Sequence, residues 1–417
     1  MTAVRTSLPV PEIVAPAGSA ESFTAALNAG ADAIYAGIGG YNMRASADTF
    51  SEAELREMIS RAHDNGTKLY LALNTIAYDN QLDEIARVLD SMTDSGADAV
   101  ICWDPGVLTL ARDRGYPIHL STQASVSNIE TAMFYESLGV KRIVLARELS
   151  LAQITDVVNE TRRRGSALTY ECFVHGAMCV AVSGRCLTSQ LFNHRSANCG
   201  DCVQPCRRRY RITDIEDGHE MILEDHTVLS AKDLCTIDIL DEIIVTGIRA
   251  LKIEGRMREP LYVKTAVECY REARDAVLDG SYTQELAAAL KERLGRVFNR
   301  GFSHGFYFDR PDRDITDGGG SRSTLVKEYA GKVMNYYRKS RAADVKLEVR
   351  GISAGDTVLI TGPTTGALEF TAESLRSPEN FPAETSSQGE IIGLGVPERV
   401  RLGDKVFVLV ERAAQSF

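Results

Sequence analysis

The stretch Asn28-Ala-Gly-Ala-Asp-Ala-Ile-Tyr-Ala-Gly37 decides how this chain is read, because it returns as Asp94-Ser-Gly-Ala-Asp-Ala-Val-Ile-Cys-Trp103. Leu138-Gly-Val-Lys-Arg-Ile-Val-Leu-Ala146 and Thr246-Gly-Ile-Arg-Ala-Leu-Lys-Ile-Glu254 follow the same plan. In each, a glycine closes a helix, a short turn follows and an apolar run begins. Glycine suits the left-handed position that ends a helix, and an uninterrupted apolar run is what a parallel strand buried on both faces requires.

Working outward, the same signal predicts strands over Glu12–Ala15, Ala33–Ala36, Lys68–Leu73, Ala99–Trp103, Ile118–Ser121, Arg142–Ala146, Leu168–Phe173 and Ala250–Ile253. Amphipathic segments such as Ser51–Asp64 and Leu82–Ser95 lie between them. Strand–helix alternation of this kind predicts an α/β fold, a (β/α)8 TIM-like barrel. The rival, a doubly wound sheet, lacks its glycine-rich dinucleotide fingerprint after the first strand. Pro260–Leu278 and Thr283–Phe298 read as helices, and Gly318-Gly-Gly-Ser-Arg-Ser323 reads as a flexible linker. Residues 1–317 are therefore expected to form the barrel domain, 318–328 the linker and 329–417 a small C-terminal antiparallel β-barrel. The strands of that last part are predicted over Tyr329–Met334, Asp344–Val349, Asp356–Ile360, Ala367–Thr371 and Lys405–Val410.

The net charge of −10 over 417 residues excludes a surface that coats nucleic acid broadly, and leaves room for a local basic groove. No apolar run is long enough to span a bilayer, and the opening MTAVRTSLPVPEIVAPAGS lacks the apolar core of a signal peptide. A cytoplasmic location without membrane contact, with reduced cysteines, is the expectation.

Cysteines cluster in one window: Cys179-x6-Cys186-x15-Cys202-x3-Cys206-x28-Cys235, with Cys199 three residues before Cys202. The window lies in the one oversized gap, between the seventh and eighth predicted strands, in an insertion expected over 176–249. Barrel active sites form at the C-terminal ends of strands, so an insertion after strand seven starts at the chemical face. A thiol cluster in a reducing compartment reads as a metal or iron–sulfur site before it reads as disulfides. Structural zinc favours two close pairs, whereas a [4Fe–4S] cluster takes four cysteines from irregular spacings. The spacing fits the cluster better, with zinc as the alternative. Cys102, Cys172 and Cys269 lie in strand- or helix-like segments and read as small core residues.

If the barrel is right, polar residues just after each strand converge. Asn42 and Arg44 follow strand two, Asn74 strand three, Gln123 strand five and Arg147 strand six. Glu171 and His175 belong to strand seven and its exit, and Lys252, Glu254 and Arg256 to strand eight. Singly each is an ordinary loop or cap residue; together they occupy the positions where barrel chemistry is built. Arg44, Arg147 and Arg256 would clamp an anionic substrate, since a guanidinium fork matches carboxylate or phosphate. Asn42, Asn74, Gln123 and Lys252 would complete the substrate site. Glu171, His175 and Glu254 would order the site and move protons. Arg207, Arg208, Arg209 and Arg211, interrupted by Tyr210, read either as a solvated charged strand or as a basic patch that holds nucleic-acid phosphate beside the cysteines.

Glu171-Cys-Phe-Val-His-Gly-Ala-Met-Cys-Val-Ala-Val-Ser-Gly-Arg-Cys-Leu-Thr-Ser189 resembles the signature of the U32 peptidase (collagenase-like protease) family. The resemblance extends over Asn193-His-Arg195, Cys202–Cys206, Ser230–Cys235, Lys252–Arg256 and Asn299–Phe302. It also takes in Pro16–Ser19 and Asn42–Ala45, so it covers nearly the whole chain. The family was named for proteolysis, yet it includes proteins that hydroxylate a wobble uridine of tRNA or a cytidine of ribosomal RNA. Other relatives take part in hydroxylating a quinone precursor. The resemblance implies a [4Fe–4S] cluster and, in the tRNA branch, prephenate as co-substrate. It implies Cys179, Cys186 and Cys202 as cluster ligands, with Cys235 in one branch and Cys206 in another as the fourth; Cys199 departs from the family pattern. The implied partners are tRNA or rRNA, a small carboxylate and a redox partner. A peptidase remains the alternative, although no Ser/His/Asp order or His-Glu-x-x-His helix is present. A Cys179/His175 pair would need one activated thiolate rather than a set of five.

Overall fold

The computed structural model describes residues 10–43, 50–222, 229–308, 314–316 and 320–412. Seven parallel strands come first: β1 (Glu12–Ala17), β2 (Ala33–Gly37), β3 (Lys68–Ala72), β4 (Ala99–Cys102), β5 (Ile118–Leu120), β6 (Val140–Val144) and β7 (Thr169–Ala177). After β7 an insertion carries β8 (Arg211–Thr213), β9 (Glu220–Ile222) and β10 (Asp233–Cys235) before the eighth barrel strand, β11 (Ala250–Ile253). β11 pairs in parallel with both β7 and β1, Ala250 facing Glu171 on one side and Glu12 on the other. That double pairing closes an eight-stranded barrel in which all eight predicted strands are present.

Helices α1 (Ala20–Asn28), α2 (Glu52–Asp64), α3 (Asp79–Met92), α4 (Pro105–Asp113), α5 (Ile129–Ser137) and α6 (Leu151–Arg163) follow β1 to β6 in turn. Their starts are written in the chain. Ser51 and Glu54 form a reciprocal capping box on α2, and Ser150 and Gln153 another on α6. The repeat glycines Gly30, Gly96, Gly139 and Gly247 have φ of 79°, 78°, 97° and 89°, the left-handed turn that redirects the chain into the next strand. β2 is buried along its whole length, as its unbroken apolar run requires. The insertion adds the short α7 (Thr188–Asn193) and α8 (Leu240–Val245); α9 (Pro260–Asp279), α10 (Gln284–Gly295) and β12 (Phe302–Ser303) follow β11. The end of β7 outruns the barrel and pairs antiparallel with β10, Cys235 opposite His175. Among the described residues no helix is long and apolar enough to cross a membrane.

The C-terminal region is an eight-stranded antiparallel sheet around a core of its own. Its strands are β13 (Leu325–Tyr337), β14 (Ala342–Leu347), β15 (Thr357–Gly362), β16 (Gly366–Thr371), β17 (Leu375–Arg376), β18 (Pro382–Ala383), β19 (Ile391–Gly395) and β20 (Lys405–Glu411). β13 starts at Leu325, inside the stretch read as linker; part of that stretch, 318–319, lies outside the described residues. β17, β18 and β19 were not predicted. Two of them are two residues long, and Ile391–Gly395 is broken by glycines, so none carries the alternation by which strands are found.

Candidate active site at the barrel mouth

A ladder of charges fills the lower half of the barrel. Glu12 accepts hydrogen bonds from Lys68 (2.5 Å), Tyr70 (2.9 Å) and Arg142 (2.7 Å). Arg142 lies 3.6 Å from Glu171, and Glu171 accepts from Lys252 Nζ at 2.6 Å. Burial works against the charge on Glu12, but Arg142 and Lys68 outweigh it and hold its carboxyl at about 2. Burial pushes the Lys252 ammonium below its ordinary range, opposed by Glu171. Lys252 also sits 4.3 Å from the Tyr35 ring centroid, which adds a cation–π contact. The ladder ends at Lys252, on the floor of a cavity of about 120 Å³ at the C-terminal mouth.

One wall of the cavity comes from strand ends. Arg147 donates to the Ala177 carbonyl (2.9 Å) and lies over the Phe173 ring at 3.7 Å. Arg256 donates to Asn42 Oδ1 (2.8 Å). Glu254 accepts from the Tyr35 hydroxyl (3.3 Å), and Asn74 donates to Ser121 (3.3 Å), which in turn bonds Gln123. Close backbone packing holds this wall. Gly176 has φ +107°, and a Cβ there would meet the Glu254 carbonyl oxygen at 2.3 Å.

The opposite wall is the insertion. Cys179, Cys186, Cys202 and Cys206 all line the cavity. Burial raises the Cys206 thiol; Arg207 opposes this, and Cys179, Cys202 and Cys186 add to it, so three other cysteines lie within electrostatic reach of Cys206. The Thr188 backbone N–H donates to Cys186 Sγ (3.4 Å), and the Ser189 hydroxyl donates to Cys202 Sγ (3.8 Å). Such donors fix the positions of the two sulfurs. Among the described residues no three His, Cys, Asp or Glu side chains converge closely enough to share a single ion. Four cysteines lining a single cavity are a donor set that either a zinc ion or an iron–sulfur cluster would take.

Several residues named from sequence fall elsewhere. Cys235 is fully buried and does not line the cavity; the Tyr270 hydroxyl donates to its sulfur at 3.9 Å, and burial raises its thiol to about 11. His175 also lies outside the cavity. Its ring packs 5.4 Å from Tyr270, 5.7 Å from Tyr262 and 5.9 Å from Phe302, and burial, with Arg258, lowers it to about 3. The cause is a register shift between β7 and β11 at Phe173 and His175, which turns the ring toward α9 instead of into the mouth. Glu171 and Asn42 do not line the cavity; they hold Lys252 and Arg256, which do. Arg207 is turned inward, donating to the Met178 carbonyl (2.7 Å) and to Ser230 (2.8 Å), so it braces the cysteine loop. Arg208 and Arg209 are exposed. Arg44 and the side chain of Arg211 lie outside the described residues. Cys199 is not part of the cavity and lies 3.9 Å from the Tyr78 hydroxyl. Tyr35, Phe173 and Ser183 were missed. Ser183 ties the insertion to the barrel, its N–H and hydroxyl donating to Glu148 at 2.7 and 2.8 Å. Its signal was Glu148 itself, an acid at the end of β6.

Fold and site together define a TIM-type barrel enzyme class with a thiol-lined mouth. The profile of peptidase family U32 matches residues 18–317. This chain belongs to that family. It is 40% identical to an uncharacterized protease of Methanocaldococcus jannaschii, over 96% of this chain and 98% of the relative. It is 38% identical to a collagenase of Porphyromonas gingivalis, over 95% and 97%. To tRNA hydroxylation protein P1 of Bacillus subtilis it is 32% identical, over 88% and 86%.

Proposed function

We propose that this chain is an iron–sulfur-dependent enzyme that hydroxylates a nucleobase in RNA, a tRNA wobble uridine with prephenate as co-substrate or a cytidine of rRNA. The observation that carries the reading is one cavity lined both by Cys179, Cys186, Cys202 and Cys206 of the insertion and by Lys252, Arg147 and Arg256 of the strand ends. The four thiolates would hold the cluster, which when bound supplies one-electron chemistry. The basic wall would bind the carboxylate of a small co-substrate, and Glu254, held by Tyr35, stands beside that wall as a proton acceptor. The name of the Bacillus relative supports the RNA substrate.

Peptidase activity is the second reading, favoured by the names of the Methanocaldococcus and Porphyromonas relatives. Cysteine proteolysis needs a histidine within hydrogen-bond reach of the nucleophile, and among the described residues no histidine lines this cavity. His175 is turned toward α9.

The reading is tested by purifying the protein without oxygen and measuring iron and acid-labile sulfide, and by mass spectrometry of nucleosides from a deletion strain. Iron and sulfide in near-equal amounts, with loss of one hydroxylated nucleoside, is the expected result. Equimolar zinc without iron, or an unchanged nucleoside profile, overturns it. Peptide cleavage abolished by Cys179→Ala would move the assignment to proteolysis.

A further inference from the structure

From Cys179 to Arg211 the chain carries six arginines, no lysine and one acid, Asp201, a local excess of positive charge in a chain whose net charge is −10. The same segment presents large apolar side chains to solvent: Leu191 is 73% exposed and Phe192 62%. Phe192 lies beside Tyr210, ring centroids 6.2 Å apart at 40°. Tyr210 is held in place by its hydroxyl, which donates to the Pro205 carbonyl (2.7 Å), and Pro205 lines the cavity. Ser189, at the start of the same short helix, also lines the cavity. Phe192 is three residues further along, about 4.5 Å of helical rise. Arg208 and Arg209, exposed, directly precede Tyr210.

We infer that Phe192 and Tyr210 form a stacking platform for the nucleotide next to the one that enters the cavity, with Arg208 and Arg209 holding its phosphate; this rests on the RNA reading above. An exposed ring backed by a half-buried one, with guanidinium groups alongside, offers what single-stranded RNA needs. The rings take base faces without regard to sequence, and the arginines take the backbone. An enzyme that works on a base must first unstack it, and a ring just outside the pocket replaces the neighbour that the flanking base loses. The platform thus lies within one helical turn of a residue of the cavity lining. A protein partner covering the same face would have to strip water from the exposed Arg208 and Arg209, whereas RNA arrives with the matching charge.

The test is fluorescence anisotropy of a short, unstructured, fluorescein-labelled single-stranded RNA over a range of salt, using the full chain. Phe192→Ala should weaken binding roughly tenfold without changing the salt slope, and Phe192→Trp should bind at least as tightly as the unaltered chain. Arg208→Gln with Arg209→Gln should make the slope shallower. Phe381→Ala, at a ring 69% exposed in the C-terminal region, should bind as the unaltered chain does. Undiminished RNA affinity in Phe192→Ala overturns the inference. If that variant instead changes only the sedimentation coefficient, the face belongs to a protein partner or a second copy. Tight binding that depends on Phe192, together with an unchanged nucleoside profile in the deletion strain, would keep the platform and reject the modification reading.

Discussion

Cys206 and Cys235 carry the same thiol in opposite settings. Cys206 shares the cavity with three other cysteines, while Cys235 sits under Tyr270 with its thiol raised to about 11 by burial. Cys206→Ala should therefore lose most of the iron of anaerobically prepared protein, and Cys235→Ala should keep it; iron per chain decides, and the reverse pattern would restore Cys235 as the fourth ligand. His175 gives a separate prediction in pH. Its folded value of about 3 lies below the 6.5 of an unfolded imidazole. The unfolded chain binds this proton first as pH falls. The site's contribution to stability is thus intact above pH ~6.5 and declines by roughly 1.4 kcal/mol per pH unit from there toward pH 3. His175→Phe, an aromatic ring among Tyr262, Tyr270 and Phe302, should flatten the pH dependence of the urea midpoint over that window. Equal slopes in the two proteins would reject this.

Pairs of elements carry the next scale of behaviour. β7 and β11 are joined by hydrogen bonds and, inside the barrel, by Glu171 and Lys252, both almost wholly buried. Removing one member leaves a charge without its partner in a dry interior, so Lys252→Met should cost about 3–5 kcal/mol in a urea titration. Removing both, Lys252→Met with Glu171→Leu, should recover much of that loss, because two apolar chains satisfy each other; a double variant no better than the single one would mean that Arg142 still needs Glu171. The register shift in the same strand pair shows why the site was only partly legible. Strict alternation from Glu171 and Phe173 places His175 in the mouth, and a one-residue irregularity moves it to the outer face. Nothing in the local sequence announces that irregularity.

At the scale of the whole molecule, the C-terminal sheet is seated on α1. The Thr24 hydroxyl donates to the Pro363 carbonyl (2.6 Å), Asn28 to the Thr365 carbonyl (3.3 Å), and Ala25 packs with Leu359, Ala367 and Leu409. The chain should melt as one cooperative unit, and Ala25→Arg, which forces a charge into that seam, should split the calorimetric trace into two transitions; a single unshifted transition would show that the seam contributes nothing. The barrel itself was legible because its signals are local. Apolar runs, capping residues and closing glycines sit within a few positions of each other, and the eight strands follow from them. By itself, then, the sequence determined the (β/α)8 order, the place of the cysteine insertion and the set of polar residues at strand ends. Only the tertiary structure decided which of these face one cavity: Cys206 rather than Cys235, Lys252 and Arg256 rather than His175, Arg207 as a brace rather than a surface contact. Which way a side chain faces at a strand end depends on pairing between residues far apart in the chain, through a bulge and a packed helix, and no window of sequence contains both partners.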